Sequence, residues 1–235
     1  GQGHAIYVGA PSTIVNDGIL SGASASGIGA SSSVTLSNGV TGTITGHYQA
    51  LNTNGAYLAV VNSGRMEGLT GSAIRGDLGG MVTNLAGGAL IGQSGGVGIS
   101  GGTGTVDNAG TIAGTNNNAG VLLASGGRVT NAATGTITGY GGVEIAGDSG
   151  TLINAGAISG NGIYAVRFGS GYSNRLVIVP GATFTGQVQG GNNAASTAVS
   201  TLELASGASA GTFSGFGAQF TGFGQVTIDS GATWT

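Results

Sequence analysis

The chain contains no cysteine and no lysine, only two prolines, and few charged residues of either sign. The absence of cysteine excludes disulfides, thiolate chemistry and cysteine-based zinc sites. The five arginines are spread thinly and give no basic stripe that could neutralise phosphates, so we expect no nucleic-acid partner. There is also no apolar run of the length that a transmembrane helix requires. Any signal or membrane anchor is therefore expected to lie outside these residues.

Glycine is the dominant residue, with 53 of the 235 positions. So much glycine is typical of disordered or collagen-like chains, but both need more proline, and collagen needs a Gly-X-Y period that is missing here. Hydrophobic residues make up 40% of the chain and the mean hydropathy is positive. We therefore expect a folded protein whose stability comes from packing and hydrogen bonds.

An internal repeat is set by asparagines that follow an apolar-x step, at successive spacings of 22, 24, 22, 24, 23 and 23 residues. This asparagine ladder consists of Asn16, Asn38, Asn62, Asn84, Asn108, Asn131 and Asn154. The same phase is expected to continue, without asparagine, at Pro180, Ser206 and Ser230. A stacked column of identical amides can form hydrogen bonds from one unit to the next, so a structural role is favoured over a binding role.

A second landmark follows each asparagine in the motif N-x-G-x-Φ-x-G, where Φ is apolar. Some units carry two extra residues before Φ, which preserves the side of the strand on which Φ lies. The resulting core ladder is Leu20, Ile44, Met66, Leu90, Ile112, Ile137, Ile158, Phe184 and Trp234.

Alternating apolar residues, as in Val97-x-Ile99 and Val121-x-Leu123, indicate strands, and each unit holds roughly three of them between Gly/Asn/Ser corners. One unit cannot pair its own strands or bury its apolar side. Stacking solves both problems. The sequence therefore predicts an all-β fold, a right-handed parallel β-helix of about ten coils of 22–26 residues, with the hand taken from the chirality of parallel crossovers.

The catalytic and metal-binding motifs are weak. Two strings, around Ser94 and Ser209, match G-x-S-x-G, but a chain this rich in glycine and serine is expected to contain about one by chance. The segment Gly101–Asp107 resembles a calcium-binding nonapeptide, yet it occurs once and has Val106 where an aspartate ligand is needed. His4 and His47 fall at different phases of the repeat. We expect no catalytic, cofactor-binding or metal-binding residues and no cofactor.

The main alternative is a carbohydrate-active β-helix enzyme, a polysaccharide lyase or hydrolase. Arg65, Glu67, Arg75 and Asp77 form the densest charge group, and their i, i+2 spacing favours solvated ion pairs. The remaining acids, Asp107, Glu144, Asp148 and Glu203, are isolated in the sequence, although stacking could bring some of them together.

The repeats resemble the passenger domains of bacterial autotransporters, in strings such as Val129-Thr-Asn131 and Asn154–Gly160. The tail from Gly215 to Trp234, a Gly/Phe run followed by S-G-A-T-W, is similar to the segment that precedes the autochaperone and outer-membrane barrel in that family. The resemblance implies β-helix passenger repeats over residues 1–205. Residues 206–235 would then be aromatic-rich coils that continue the helix and begin the autochaperone-like region.

This resemblance implies a non-enzymatic passenger that is exported through the outer membrane and displayed on the bacterial cell surface or released. Such passengers often serve adhesion, self-association or biofilm formation, with an outer-membrane β-barrel in the full-length chain and a host or neighbouring cell surface as partner. Because both ends of the sequence stop abruptly, we expect these residues to associate end to end or laterally. The shaft of a two-partner secreted exoprotein is a third hypothesis.

Overall fold

The computed structural model describes residues 3–193 and 195–235, and these residues contain no helix. It follows that the described chain offers no helix long and apolar enough to cross a membrane. Residues 1 and 2, with which the predicted coil series opens, and residue 194 lie outside the described residues.

The described residues form 26 strands, almost all of them three to five residues long. In chain order they are β1 (Ile6–Val8), β2 (Ser12–Asn16), β3 (Ile19–Gly22), β4 (Ile28–Ala30), β5 (Val34–Asn38), β6 (Thr43–Gly46), β7 (Leu51–Thr53), β8 (Leu58–Asn62), β9 (Arg65–Gly68), β10 (Ile74–Gly76), β11 (Gly80–Asn84), β12 (Ala89–Gly92), β13 (Val97–Ile99), β14 (Gly104–Asn108), β15 (Thr111–Gly114), β16 (Val121–Leu123), β17 (Gly127–Asn131), β18 (Thr136–Gly139), β19 (Val143–Ile145), β20 (Gly150–Asn154), β21 (Ala157–Phe168), β22 (Arg175–Ile178), β23 (Thr183–Gln189), β24 (Thr201–Leu204), β25 (Phe220–Thr221) and β26 (Gln225–Ile228).

These strands stack in three columns, and the pairings between named strands are all parallel. The first column is a ten-stranded sheet that runs from β2 through β5 and β8 to β26. The second column begins β3-β6-β9 and the third begins β1-β4-β7. Strand β21 continues through both and joins them into one 16-stranded sheet. Ten strands in the first column correspond to ten coils, so the predicted all-β parallel solenoid is confirmed.

The core ladder lies in the second column and points inward. Consecutive members from Leu20 to Phe184 are direct register partners. The members from Ile44 to Ile158 are at most 1% exposed, whereas Leu20 and Phe184 are partly buried. Complete burial of one such side chain contributes about 1.5–3 kcal/mol. The column therefore supplies a large share of the packing free energy.

Trp234, the last residue of the predicted core ladder, has Gly211 of the preceding coil as its register partner. A Cβ atom built on Gly211 would lie 2.4 Å from the indole ring, so the ring covers a position that has no side chain. The indole Nε1 donates a hydrogen bond to the carbonyl of Ala205 at 2.9 Å. Trp234 is therefore partly buried on the last described coil without continuing the aliphatic stack.

The asparagine ladder lies in the first column, and all seven side chains are buried. The Nδ2 atom of each asparagine from Asn16 to Asn131 donates to Oδ1 of the next one, at 2.8–2.9 Å. Each of these six also donates to a glycine carbonyl in its own corner. The seventh, Asn154, donates to the carbonyl of Thr183 in the next coil. The amides thus form one hydrogen-bonded chain through seven coils.

The expected continuation of this ladder at Pro180, Ser206 and Ser230 is wrong by two residues. The positions in register with Asn154 are Ile178, then Leu204, then Ile228. The cause is the corner between β22 and β23, which is two residues longer than the corner after Asn154. When the repeats are aligned on the Gly-Ala-Thr string that follows, the position equivalent to the asparagine therefore moves two residues toward the C-terminus. Ile178 and Leu204 are 4% exposed, so apolar packing replaces the amide chain there.

Short and long corners alternate between the first and second columns. Four residues separate Asn16 from Leu20, whereas six separate Asn38 from Ile44, and the pattern repeats through Ile158. Two successive spacings, 22 and 24 or 23 and 23 residues, add up to 46, so 46 residues separate Asn16 from Asn62, Asn62 from Asn108, and Asn108 from Asn154. The structural repeat is therefore a pair of coils.

The two corner types fit together at a glycine. A Cβ atom built on Gly64, in a short corner, would lie 2.2 Å from the carbonyl oxygen of Gly42 and 2.3 Å from that of Gly39, both in the preceding long corner. Gly110 and Gly156 meet their preceding long corners in the same way. Gly18 lies in the first short corner, and a Cβ atom built on it would have no neighbouring atom within 4 Å.

The C-terminal strands extend the same columns. Strand β24 pairs with β26 in the first column, and β23 pairs with β25 in the third. The rings of Phe184 and Phe213 both contact Phe220, with centroid separations of 5.6 and 4.9 Å. Phe216 is 52% exposed and stands outside this cluster. Aromatic packing thus fills the solenoid where the asparagine ladder has ended.

We expect Asn84→Leu to destabilise the fold more than Asn154→Leu. Leucine at position 84 leaves Oδ1 of Asn108 without its donor and removes the acceptor of Asn62, at a cost of about 1–3 kcal/mol per unsatisfied buried group. Leucine at position 154 faces Ile178 and, toward the next coil, removes only a long bond of 3.4 Å to the backbone carbonyl of Thr183, so it leaves no buried side-chain acceptor unpaired there. Denaturant unfolding followed by circular dichroism measures both, and equal losses would contradict the cooperative role of the amide chain.

A second pair of variants tests the corner packing. Gly64→Ala should destabilise the protein by about 1–3 kcal/mol or more, because the methyl group overlaps backbone atoms that cannot move without shifting two coils. Gly18→Ala has free space and should be neutral or stabilising by up to about 1 kcal/mol. Thermal unfolding of the two variants gives the comparison, and a harmless Gly64→Ala would show that the corners do not interlock.

Candidate functional site

The ladder residues predicted from the sequence lie inside the solenoid, where both the asparagine ladder and the core ladder are enclosed by the three columns of strands. Their hydrogen-bonding groups and apolar surfaces are used within the protein. A ligand must therefore bind on the outer faces of the columns or at the corners.

The residues of the weak catalytic and metal motifs are not brought together. Ser94 Oγ donates to the carbonyl of Thr70, and Ser209 is exposed in a different part of the chain. His4 lies against the backbone carbonyl of Ser26, and His47 packs edge-on against Tyr48 at 4.9 Å. Within the described ranges, no three His, Cys, Asp or Glu side chains are grouped closely enough to hold a metal ion.

The densest charge group of the sequence is divided between two faces. Arg65 and Glu67 form an ion pair of 2.9 Å on β9 in the second column. Arg75, on β10 in the third column, forms an ion pair of 3.0 Å with Asp77 just beyond that strand. Each pair is local and partly exposed, as the i, i+2 spacing predicted. The four residues do not make one site.

Two acids that are isolated in the sequence find arginine partners through stacking. Glu144 accepts a hydrogen bond from the guanidinium of Arg167, its register partner in the next coil. Glu203 accepts from both Nε and Nη2 of Arg175, at 2.9 and 2.7 Å. The repeat phase could have predicted the first contact. Stacking therefore brings each of these carboxylates next to an arginine of an adjacent coil, and the two form surface ion pairs.

A groove runs over the outer side of the third column, and we call it the third-column groove. Its first segment has a volume of about 300 Å³. It is lined by Ser72, Ser94, Val97, Gly98, Asn117, Asn118, Ala119, Leu122, Tyr140, Gly141, Val143, Glu144, Tyr164 and Arg167. Among them are Ser94, of a chance G-x-S-x-G string, and Glu144, an acid isolated in the sequence, but no sequence motif predicted a groove here.

The groove exists because neighbouring corners differ in length. From β3 to β19, the connection between the second and third columns has three to six residues. The longest, residues 115–120, includes the run Asn116-Asn117-Asn118, and the next coil has the shortest, residues 140–142. The two are held together because Tyr140 N–H donates to the carbonyl of Asn118 at 2.9 Å. The long corner consequently forms a wall beside a recess.

The floor and sides of this segment combine apolar, aromatic and polar groups. Gly98 leaves open space, since a Cβ atom there would have no neighbour within 4 Å, and Leu122 is 38% exposed beside it. The Tyr140 ring covers Gly162 and is itself half-exposed. The Arg167 guanidinium lies 5.9 Å from the centre of the Tyr164 ring and is paired with Glu144. The segment therefore presents amides and phenols with no uncompensated charge.

Two further cavities continue the groove along the solenoid axis. The second, of about 360 Å³, shares Glu144 and Arg167 with the first and extends to Gln189 and Gly191. The third, of about 310 Å³, shares Gln189 and Gly191 with the second and extends to Thr221. From β13 to β25 the third column advances five strand spacings, about 24 Å at about 4.8 Å each. The groove is thus long, narrow and open to solvent.

Comparison with known proteins gives no assignment. No family model, curated protein sequence or solved structure matches the chain. The autotransporter resemblance therefore stays a prediction, and the chemistry of the third-column groove must be argued from its own residues.

The ion pairs generate a stability prediction. Glu203→Gln should lower the free energy of unfolding by up to about 1 kcal/mol, because its two-point contact with Arg175 connects adjacent coils. Glu67→Gln, in a pair confined to one strand, should have a smaller effect. Both losses should shrink at high salt, where exposed charges are screened. Denaturant unfolding at low and high salt tests this, and a larger loss for Glu67→Gln would contradict it.

Proposed function

We propose that the chain is a non-enzymatic structural and adhesive protein, the passenger of a bacterial autotransporter, which mediates adhesion or self-association at the cell surface or after release. The observation that carries the proposal is the pairing of carboxylates with arginines on the outer faces. Glu67, Asp77, Glu144 and Glu203 are each bound to one arginine. A carboxylate held in this way is poorly placed to take or give a proton in catalysis.

The third-column groove also favours binding over hydrolysis. Glycoside hydrolysis by the usual mechanisms needs two carboxyl groups on either side of the scissile bond. Among the residues that line the three described segments of the groove, Glu144 is the one carboxylate, and it is paired with Arg167. A bound sugar chain would therefore meet hydrogen-bonding and apolar groups rather than an acid and a base.

The outer face of the first column offers a broad surface through which the protein can contact a neighbouring cell or another copy of itself. Its outward positions are mainly threonine and aliphatic residues, and Val15, Val61 and Met81 are 43–69% exposed there. Ten coils at about 4.8 Å each give a rod about 48 Å long. Such a rod provides reach and weakly charged surfaces, which suits attachment to a neighbouring cell or to other copies. The outer-membrane barrel of the full-length chain belongs to the proposal through the resemblance alone.

Beads coated with the protein test this function. We expect them to aggregate or to attach to bacterial or host cells, as measured by light scattering and microscopy, while soluble polysaccharides incubated with the protein gain no reducing or unsaturated ends. Beads coated with the heat-unfolded chain are the control. Depolymerisation that is lost in Glu144→Gln or Glu203→Gln would replace the proposal with the β-helix enzyme.

A further inference from the structure

We propose that the third-column groove binds one extended strand of an uncharged polysaccharide, lying parallel to the solenoid axis. This inference rests on the proposed adhesive function and names the chemical class of its ligand. It is carried by the shape of the groove, its hydrogen-bonding groups, its charge and its exposed apolar surface.

The shape of the groove fits a linear polymer. Three segments, each with a volume near the lower limit of small-molecule pockets, follow one another along the coils: Glu144 and Arg167 line both the first and the second, and Gln189 and Gly191 line both the second and the third. A compact ligand would fill one segment and leave the others empty. A polymer of small, similar units can occupy all of them, because the groove stays open along the direction in which the coils repeat.

The polar groups along the groove match hydroxyl-rich ligands. In the described part of the chain, the side-chain amides of Asn117 and Asn118 form no hydrogen bond, and both residues are exposed on the wall. An amide offers two donors and an acceptor, and a sugar hydroxyl can donate and accept. Gln189 and Thr221 add further groups of this kind in the later segments. The wall can therefore bind hydroxyl groups in several orientations.

The charge of the groove favours an uncharged polymer. Its one arginine, Arg167, is held by Glu144, so the pair contributes no net charge. Nucleic acids and acidic polysaccharides depend on free cationic groups to replace their counterions. The protein as a whole has a formal charge of −3, which adds repulsion toward such polymers.

The aromatic and apolar groups complete the match. Tyr140, in the short corner, is 49% exposed, and Leu122, on β16, is 38% exposed; both line the first segment. A sugar ring has apolar C–H faces that pack on such surfaces, while its hydroxyls remain at the rim. The ring of Tyr140 is backed by Gly162, so it is held in place before a ligand binds, which lowers the entropy cost of binding.

An extended peptide fits less well. Peptides usually bind β-proteins by adding a strand to a free sheet edge. The groove lies on the face of the third column, where the backbone groups of β13, β16 and β19 are engaged in parallel pairing with neighbouring coils. A peptide would therefore find no backbone partners along the groove and would leave its own amides unsatisfied.

Affinity electrophoresis in native gels tests the proposal. Gels containing dextran, laminarin, mannan or galactomannan are compared with gels containing alginate or heparin, and carboxymethylated casein is the peptide competitor. We expect at least one uncharged polymer to retard the protein. Gly98→Tyr, which fills the floor, and Tyr140→Ala, which removes the ring, should each weaken binding about tenfold.

Matched controls lie elsewhere on the molecule. Gly18→Tyr places the same ring at a glycine that also has open space, and Tyr48→Ala removes a tyrosine that is 51% exposed at a corner outside the groove. Both should bind as the unmodified protein does. All four variants should keep the circular dichroism spectrum and thermal midpoint of the parent, since none of the altered side chains belongs to the core.

The outcomes separate this inference from the proposed function. No retardation by any uncharged polymer, retardation unchanged by both groove variants, or binding that is confined to acidic polymers or to casein would overturn the inference. In those cases bead adhesion could still be observed and would leave the adhesive function standing. Cleavage of a retarding polymer would instead overturn the non-enzymatic function while leaving the groove as its binding site.

Discussion

Hydrogen bonding between asparagine side chains on successive coils is the constraint on which the rest of this solenoid depends. An amide can donate to the coil above while accepting from the coil below, so the chain from Asn16 to Asn154 closes only when every coil is in register. Because each of the six donating amides also binds a glycine carbonyl in its own corner, the same interaction fixes corner and stack together. The interior is protected from water, which makes each unpaired group costly.

Much of this could be predicted from the sequence, because a parallel stack turns sequence period directly into spatial register. The asparagine spacing and the alternation of residues such as Val97 and Ile99 were sufficient for the fold class, and the N-x-G-x-Φ-x-G motif was sufficient for the core ladder. Prediction failed where the asparagine was lost. Ile178 takes the place of the asparagine in its coil, but in the sequence it looks like one more inward apolar residue after Leu176. The position equivalent to the asparagine was therefore predicted two residues too late, at Pro180. The residue that faces Trp234 is Gly211, which has no side chain and so could not be found from an apolar pattern.

The candidate site was beyond prediction for a different reason. The third-column groove is created by a difference in length between two adjacent corners, and neither corner contains a catalytic or metal-binding motif. The asparagine run at 116–118 and the short corner after Gly139 could have served as a signal, had connection lengths been compared coil by coil. Inward residues are thus constrained by register, whereas the corners between the second and third columns vary in length and determine what the surface beside them can bind.

The alternation of short and long corners limits how such a protein can change in length during evolution. Gain or loss of a single coil would set two short or two long corners side by side, and the glycine that fits beneath two carbonyls would lose its counterpart. A duplication of 46 residues, by contrast, reproduces both junctions. Lengthening by whole pairs, in increments of about 10 Å, is therefore the tolerated path, because it keeps the alternation of short and long corners wherever the ladder persists.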